Sequence, residues 1–212
     1  MSPTLFPQTL PVHTARLLRL FEETRPAFLT RFYLSGGTAL SLHLGHRESE
    51  DLDFFCEQSF QPQEVERQIR SLGTLSQTEL EKGTLNTFLD GVKLQFLEYP
   101  YPTLKSFIKW QGIQISSVID IACTKLQTVS ARGSKKDFID IYFLLKKYSL
   151  ETLLAYTREK YSHSDYSETH ILKSLVYFSD ADDQPMPRMC IQVSWEQIKK
   201  ELVSAVKSID LH

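Results

Sequence analysis

A chain of 212 residues that is 42% hydrophobic and 24% charged lies in the ordinary globular range, which excludes a disordered or fibrous class and allows one core or two small adjoining ones. Lysine plus arginine (24) against aspartate plus glutamate (26) gives a net charge of −2, which argues against gripping nucleic acid by bulk charge and confines any such contact to a local basic patch. Cys56, Cys123 and Cys190 form no CxxC spacing that would suggest a disulfide framework or a zinc site; no apolar run approaches the roughly 20 residues that span a bilayer, so a cytoplasmic chain with no membrane contact is expected.

In chain order, Val12, Leu17, Leu18, Leu20 and Phe21 recur at near-helical spacing over 12–25, up to a boundary at Pro26. Phe32-Tyr33-Leu34 reads as a short strand that stops at Gly36-Gly37, after which Thr38 is the expected N-cap of a helix through Leu44. A second strand is expected from Asp51 to Phe55 and a helix from Pro62 to Leu72. Three β-like runs follow, Thr74 to Leu80, Thr84 to Leu89 and Val92 to Tyr99, separated by the turn dipeptides Lys82-Gly83 and Asp90-Gly91. Pro100 and Pro102 suggest a boundary, giving a strand-and-helix subdomain over 1–102 and a mostly helical one over 103–212. The latter has one possible short strand, Ile113 to Ile115, and helices over 117–131, 135–147, 150–161, 167–178 and 194–208. The expected class is α+β, with a cleft between the subdomains as a place for a small-molecule site.

The strongest local signal is Gly36-Gly37-Thr38 followed, after a helix, by Asp51-Leu52-Asp53. Residues two apart on a strand point to one face about 6–7 Å apart, so both carboxylates aim into one space while Leu52 and Phe54 face away. Such oxygen ligands select a hard ion such as magnesium, which binds through one or two carboxylates plus substrate phosphates. Without Cβ atoms, Gly36 and Gly37 let backbone amides approach a phosphate at the positive end of the next helix. Arg47 and Ser49 add a cation and a hydroxyl just before the acids. Each piece alone also fits a plain turn, a cap and solvated strand-end acids; the combination points to a site.

These residues resemble the first motif of the AbiEii/AbiGii-type toxin nucleotidyltransferases: a glycine pair, Ser or Thr, a helix, Arg-x-Ser and Asp-x-Asp. The match runs without a gap from Gly36 to Phe55. A second stretch is similar to the family's later motif: Asp120-Ile121-Ala122 with Lys125-Leu126, then Arg132-Gly133-Ser134-Lys135-Lys136-Asp137 and on to Asp140-Ile141-Tyr142. The resemblance implies a nucleotidyltransferase-fold mixed sheet flanked by helices. It also implies transfer of a nucleoside monophosphate from a nucleoside triphosphate, with Mg2+ or Mn2+ held by Asp51 and Asp53. Gly36, Gly37, Thr38, Arg47 and Ser49 would bind the nucleotide, Lys125 would contact the triphosphate, and Lys136 and Asp137 would shape the nucleotide site. The implied acceptor is RNA, particularly a tRNA 3′ end, and the implied biology is a toxin neutralised through a separately encoded antitoxin.

Without the family, Asp137 and Asp140 share a helix face opposite Phe138, Ile141, Tyr142 and Leu145. An ordinary surface helix with a Lys136–Asp140 pair, worth a few tenths of a kcal/mol, fits equally well. Lys125 sits near the apolar side of its own helix, with snorkelling to solvent as the alternative. Lys105, Lys109, Arg132, Lys135, Lys136, Lys146 and Lys147 could form a basic patch.

Nucleotidyltransferases usually carry a third carboxylate on a later strand. In Val92-Lys93-Leu94-Gln95-Phe96-Leu97-Glu98 that position reads Gln95, and an amide has no basicity useful near neutral pH. Glu98, Asp137, Asp140 or metal activation could substitute. A same-fold enzyme that modifies a protein side chain or passes a phosphate, and a catalytically reduced nucleotide-binding module, are the competing readings.

Overall fold

Strand alternation in the first half of the chain builds one mixed seven-stranded sheet in the computed structural model, which describes residues 4–164 and 166–209. The strands are β1 (Tyr33–Ser35), β2 (Leu52–Cys56), β3 (Leu75–Glu81), β4 (Thr84–Leu89), β5 (Val92–Glu98), β6 (Ile108–Trp110) and β7 (Ile113–Ile115), in the order β3-β4-β5-β2-β1-β7-β6. The α+β class and the flanking helices hold. β1 pairs antiparallel with β2 and parallel with β7, and β2 pairs parallel with β5. Two-residue turns close the β4–β5 and β6–β7 hairpins: Asp90-Gly91 (φ 47° and 83°) and Gln111-Gly112 (φ 46° and 73°) take the doubly positive φ that matches strand twist.

Packing on one face of this sheet follows from the apolar positions. Leu34, Leu52, Phe54, Leu85, Leu94 and Phe96 are buried, and Phe54 stacks on Phe96 with centroids 5.1 Å apart. Burying each such side chain contributes roughly 1.5–3 kcal/mol. Helix α1 (Val12–Thr24) adds Leu17, Leu18 and Phe21 to this core, the last edge-on to Phe54. It ends where Arg25 turns left-handed before Pro26. Helix α2 (Gly36–Leu44) packs on β1 and β2, and α3 (Pro62–Arg70) lays Val65 and Ile69 against β3 and β4.

The chain divides into two compact units, Met1–Ser117 and Val118–His212. The break expected at Pro100 and Pro102 therefore falls inside the first unit. Those prolines end β5, but the β6–β7 hairpin beyond them returns to pair with β1, a long-range pairing that no local pattern announces. β6 itself was not expected.

The second unit, taken alone, is helical: α4 (Val118–Arg132), α5 (Lys135–Leu145), α6 (Leu150–Lys160), α7 (Glu168–Ser174), α8 (Ser179–Asp182) and α9 (Trp195–Lys207). α4 packs against α5, α6 and α7, and α5 packs against α9. Ser149, Ser167 and Ser194 cap α6, α7 and α9 by accepting from the N–H of Thr152, His170 and Gln197. The helix expected over 167–178 is shorter, ending at Ser174, and Phe178 at the start of α8 joins Phe138 and Trp195 in a ring cluster with centroids 5.1 and 5.7 Å away. Burial pushes the Cys56 and Cys123 thiols up to about 11, so both stay protonated and unreactive near neutral pH. Among the described residues no helix is long and apolar enough to cross a membrane.

Candidate active site

The first motif converges within the first unit. β2 begins at Leu52, so Asp51 sits just ahead of the strand and Asp53 on it, both half-buried, while Leu52 and Phe54 between and beyond them are in the core. That alternation turns the two acids away from the apolar face.

Gly36 opens α2 with φ +66°, a conformation that favours glycine, and a Cβ there would lie 2.3 Å from Asp53 Oδ2. A Cβ on Gly37 would lie 2.7 Å from an Arg47 guanidinium nitrogen and 3.2 Å from Ser49 Oγ. The glycine pair thus makes room for the chain's own motif side chains. The register agrees: Ser35, which precedes Gly36, pairs with Asp53 across β1 and β2.

Thr38 is not the N-cap; Ser35 occupies that position, and Thr38 lies within the first turn of α2. Its buried hydroxyl donates to Asp51 O and approaches Ser49 Oγ at 2.9 Å, fixing the segment that carries Asp51. Arg47 is buried and donates to Glu48 O at 3.1 Å. Ser49 N–H donates to Thr9 O, and Thr14 Oγ1 donates to Glu50 O, so the N-terminal segment also holds this loop. Asp53 abuts Gly36, the first residue of α2 and so the positive end of its dipole.

A divalent ion fits this donor set. Two carboxylates flank one strand residue, and among the described residues no group of three or more His, Cys, Asp or Glu could hold a metal. An ion here would draw its other ligands from phosphate oxygens and water, as magnesium does. Gln95, the amide expected at the third-acid position, is the register partner of Asp53 on β5. Sequence reasoning missed its companion Asn86 on β4, whose Oδ1 accepts from Gln95 Nε2 at 2.9 Å. The turn between β4 and β5 fixes that pairing and could have revealed it. A groove of about 920 Å³ between α1 and the β4–β5 turn, lined by Arg16, Arg19, Leu72 and Asp90, contains none of the motif residues.

The second motif is organised differently. Lys125 Nζ lies 2.9 Å from Asp137 Oδ1 and 2.6 Å from Asp140 Oδ2, with the lysine 6% exposed and both acids fully buried. Arg132 Nε donates to Asp137 Oδ2 at 3.0 Å, and Ser134 Oγ donates to the same oxygen at 2.6 Å. Burial would raise the Asp137 carboxyl, but Lys125, Arg132 and Ser134 outweigh it and hold it at about 2. Neither snorkelling nor a Lys136–Asp140 surface pair occurs; Asp140 turns inward to Lys125. Lys136 is exposed and has no hydrogen-bond or ion-pair partner among the described residues. Lys135 is buried, donating to Asp182 O and Gln184 O beneath Trp195, and Lys146 pairs with Glu201, so neither is a free surface cation. A second buried pair, Lys160 with Asp120 at 2.9 Å, had no local sequence signal.

The sequence matches a family model described as "Nucleotidyl transferase AbiEii toxin, Type IV TA system" over residues 19–105 and 86–211. It is 41% identical over 182 residues to the uncharacterized protein aq_aa25 of Aquifex aeolicus (strain VF5), covering 83% of this chain and 86% of that one. Its structure is similar to a putative nucleotidyltransferase from H. pylori, with a TM-score of 0.56 and 18% identity over 93% of this chain and 94% of the other. It is also similar to MenT4, the nucleotidyltransferase toxin Rv2826c from Mycobacterium tuberculosis H37Rv, with a TM-score of 0.54 and 14% identity over 95% and 87%.

Proposed function

The chain belongs to the AbiEii nucleotidyl transferase toxin family, and from that premise we propose that it transfers a nucleoside monophosphate from a nucleoside triphosphate to an acceptor hydroxyl on RNA, with the tRNA 3′ end as the acceptor. The observation that carries this reading is the apposition of Gly36 and Asp53, which sets a carboxylate against the first turn of α2. Backbone N–H groups of Gly36, Gly37 and Thr38 bind phosphate oxygens there, while Asp51 and Asp53 hold a magnesium or manganese ion. When bound, that ion neutralises charge on the phosphate oxygens.

Arg47 and Ser49 hold the segment before Asp51 against α2, and Arg47 adds positive charge behind Gly37. The acceptor oxygen bonds to the α-phosphorus as the bond to the β-phosphate breaks, pyrophosphate leaves with the electron pair, and the acceptor proton passes to water. Positioning and charge neutralisation carry most of such a reaction. On the family resemblance, Lys125, Lys136 and Asp137 serve the same reaction. The pairing in the second unit supports Asp137 as the group that fixes Lys125. A separately encoded antitoxin in the same cytoplasm completes the proposal.

The test incubates the full chain with each labelled nucleoside triphosphate and total tRNA, with and without magnesium. Magnesium-dependent label on tRNA is expected. Label on protein, or nucleotide bound without transfer, would replace this reading with a protein-modifying enzyme or a binding module.

A further inference from the structure

Four adjacent strands carry a polar row on the face opposite the apolar core. Ser35 on β1 pairs with Asp53 on β2, Asp53 with Gln95 on β5, and Gln95 with Asn86 on β4. Registered residues share a face, and neighbouring strands lie about 4.8 Å apart. Asp53, Gln95 and Asn86 are half-buried, whereas their chain neighbours Leu52, Phe54, Leu85, Thr87, Leu94 and Phe96 are buried.

On its β1 side Asp53 meets Gly36, where a Cβ would sit 2.3 Å from the carboxylate and where the proposed phosphate-binding N–H groups lie. On its β5 side the row continues to Gln95, the next polar side chain that a ligand at Asp53 meets. There, Asn86 Oδ1 takes the amide Nε2 at 2.9 Å, which fixes the amide plane and leaves Oε1 as its acceptor atom. That oxygen can accept a hydrogen bond but cannot keep a proton.

Resting on the transfer reading above, we propose that Gln95 binds the acceptor: its Oε1 accepts the hydrogen bond of the attacking hydroxyl and orients it beside Asp53, and Asn86 is a positioning residue acting through Gln95. As the hydroxyl oxygen bonds to the α-phosphorus and the β-phosphate oxygen departs with its electron pair, the proton passes to water and the amide stays neutral. The third-acid position thus orients the nucleophile without serving as its base.

The experiment compares the full-length wild type with Gln95→Ala, Gln95→Glu, Asn86→Ala and the Gln95→Ala/Asn86→Ala double variant. Labelled nucleoside triphosphate and total tRNA serve as probes, and calorimetry gives magnesium-nucleotide affinity. Loss of one orienting hydrogen bond should lower kcat about tenfold in Gln95→Ala, with nucleotide affinity and melting temperature unchanged. Gln95→Glu, which keeps an accepting oxygen but loses the N–H that Asn86 accepts, should recover only part of the rate. Asn86→Ala should fall by a smaller factor and add nothing in the double variant, because the two act as one unit. A wild-type rate in Gln95→Ala, a parallel loss of nucleotide affinity, or additivity in the double variant would overturn this assignment alone. Absence of transfer to tRNA by the wild type would overturn the transfer reading and this assignment with it.

Discussion

The two acidic motifs of this chain differ in what surrounds their carboxylates. Asp51 and Asp53 stand half-buried at the start of β2, beside a glycine and a helix N-terminus. Asp137 and Asp140 are fully buried, sharing the ammonium of Lys125, and Asp120 is closed off by Lys160. In sequence both read as closely spaced acids. A carboxylate bordered by a helix N-terminus and solvent is suited to a ligand, whereas one enclosed with its counter-ion also holds helices in place, whatever part the pair has in the reaction, since removing either partner strands a buried charge.

Four experiments can break or sharpen that contrast. Asp137→Ala should lower unfolding free energy by about 3–5 kcal/mol, read by urea denaturation, because it leaves Lys125 and Arg132 short of a partner; a loss below about 1 kcal/mol would remove the structural half of the comparison. Asp51→Asn and Asp53→Asn should each cut nucleotide transfer by about 10²–10³-fold while leaving the urea midpoint in place, and a shifted midpoint would make these acids structural too.

Acid should act chiefly on the second unit. Asp137 lies at about 2 when folded against an ordinary 3.8, so the unfolded chain binds the extra proton first. The stabilisation, about 2 kcal/mol, is complete above pH 4 and is lost as pH falls toward 2. Melting curves across that range should show the loss in the wild type and not in Asp137→Asn. Smallest is Gly36→Ala, expected to cost about 1–2 kcal/mol for a left-handed alanine and also to weaken magnesium-dependent nucleotide binding, because its Cβ meets Asp53. Gly91→Ala, equally left-handed but with nothing within 4 Å, should lose stability alone.

Much of this was legible before any coordinates. The period-two alternation placed Asp53 opposite Leu52 and Phe54, and the motif from Gly36 to Asp53 paired two residues that the structure brings together. The family pattern, not the alternation, singled out Gln95. What stayed hidden depends on partners distant in sequence. Pro100 and Pro102 look like a linker because the pairing of β7 with β1 is invisible locally. Thr38 looks like a cap because its bond to Asp51 O spans a loop. Lys135 looks like a surface cation, and the acids that hold Lys125 stay hidden, because periodicity tells which face is apolar, not which carboxylate or carbonyl waits beneath it.

The most direct test of the displayed carboxylates is calorimetric titration of nucleoside triphosphate into wild type and Asp53→Asn, with and without magnesium. Binding by the wild type only when magnesium is present, and its loss in an Asp53→Asn chain that melts at the wild-type temperature, is the predicted result. Equal binding by both chains, or binding indifferent to magnesium, would contradict the account.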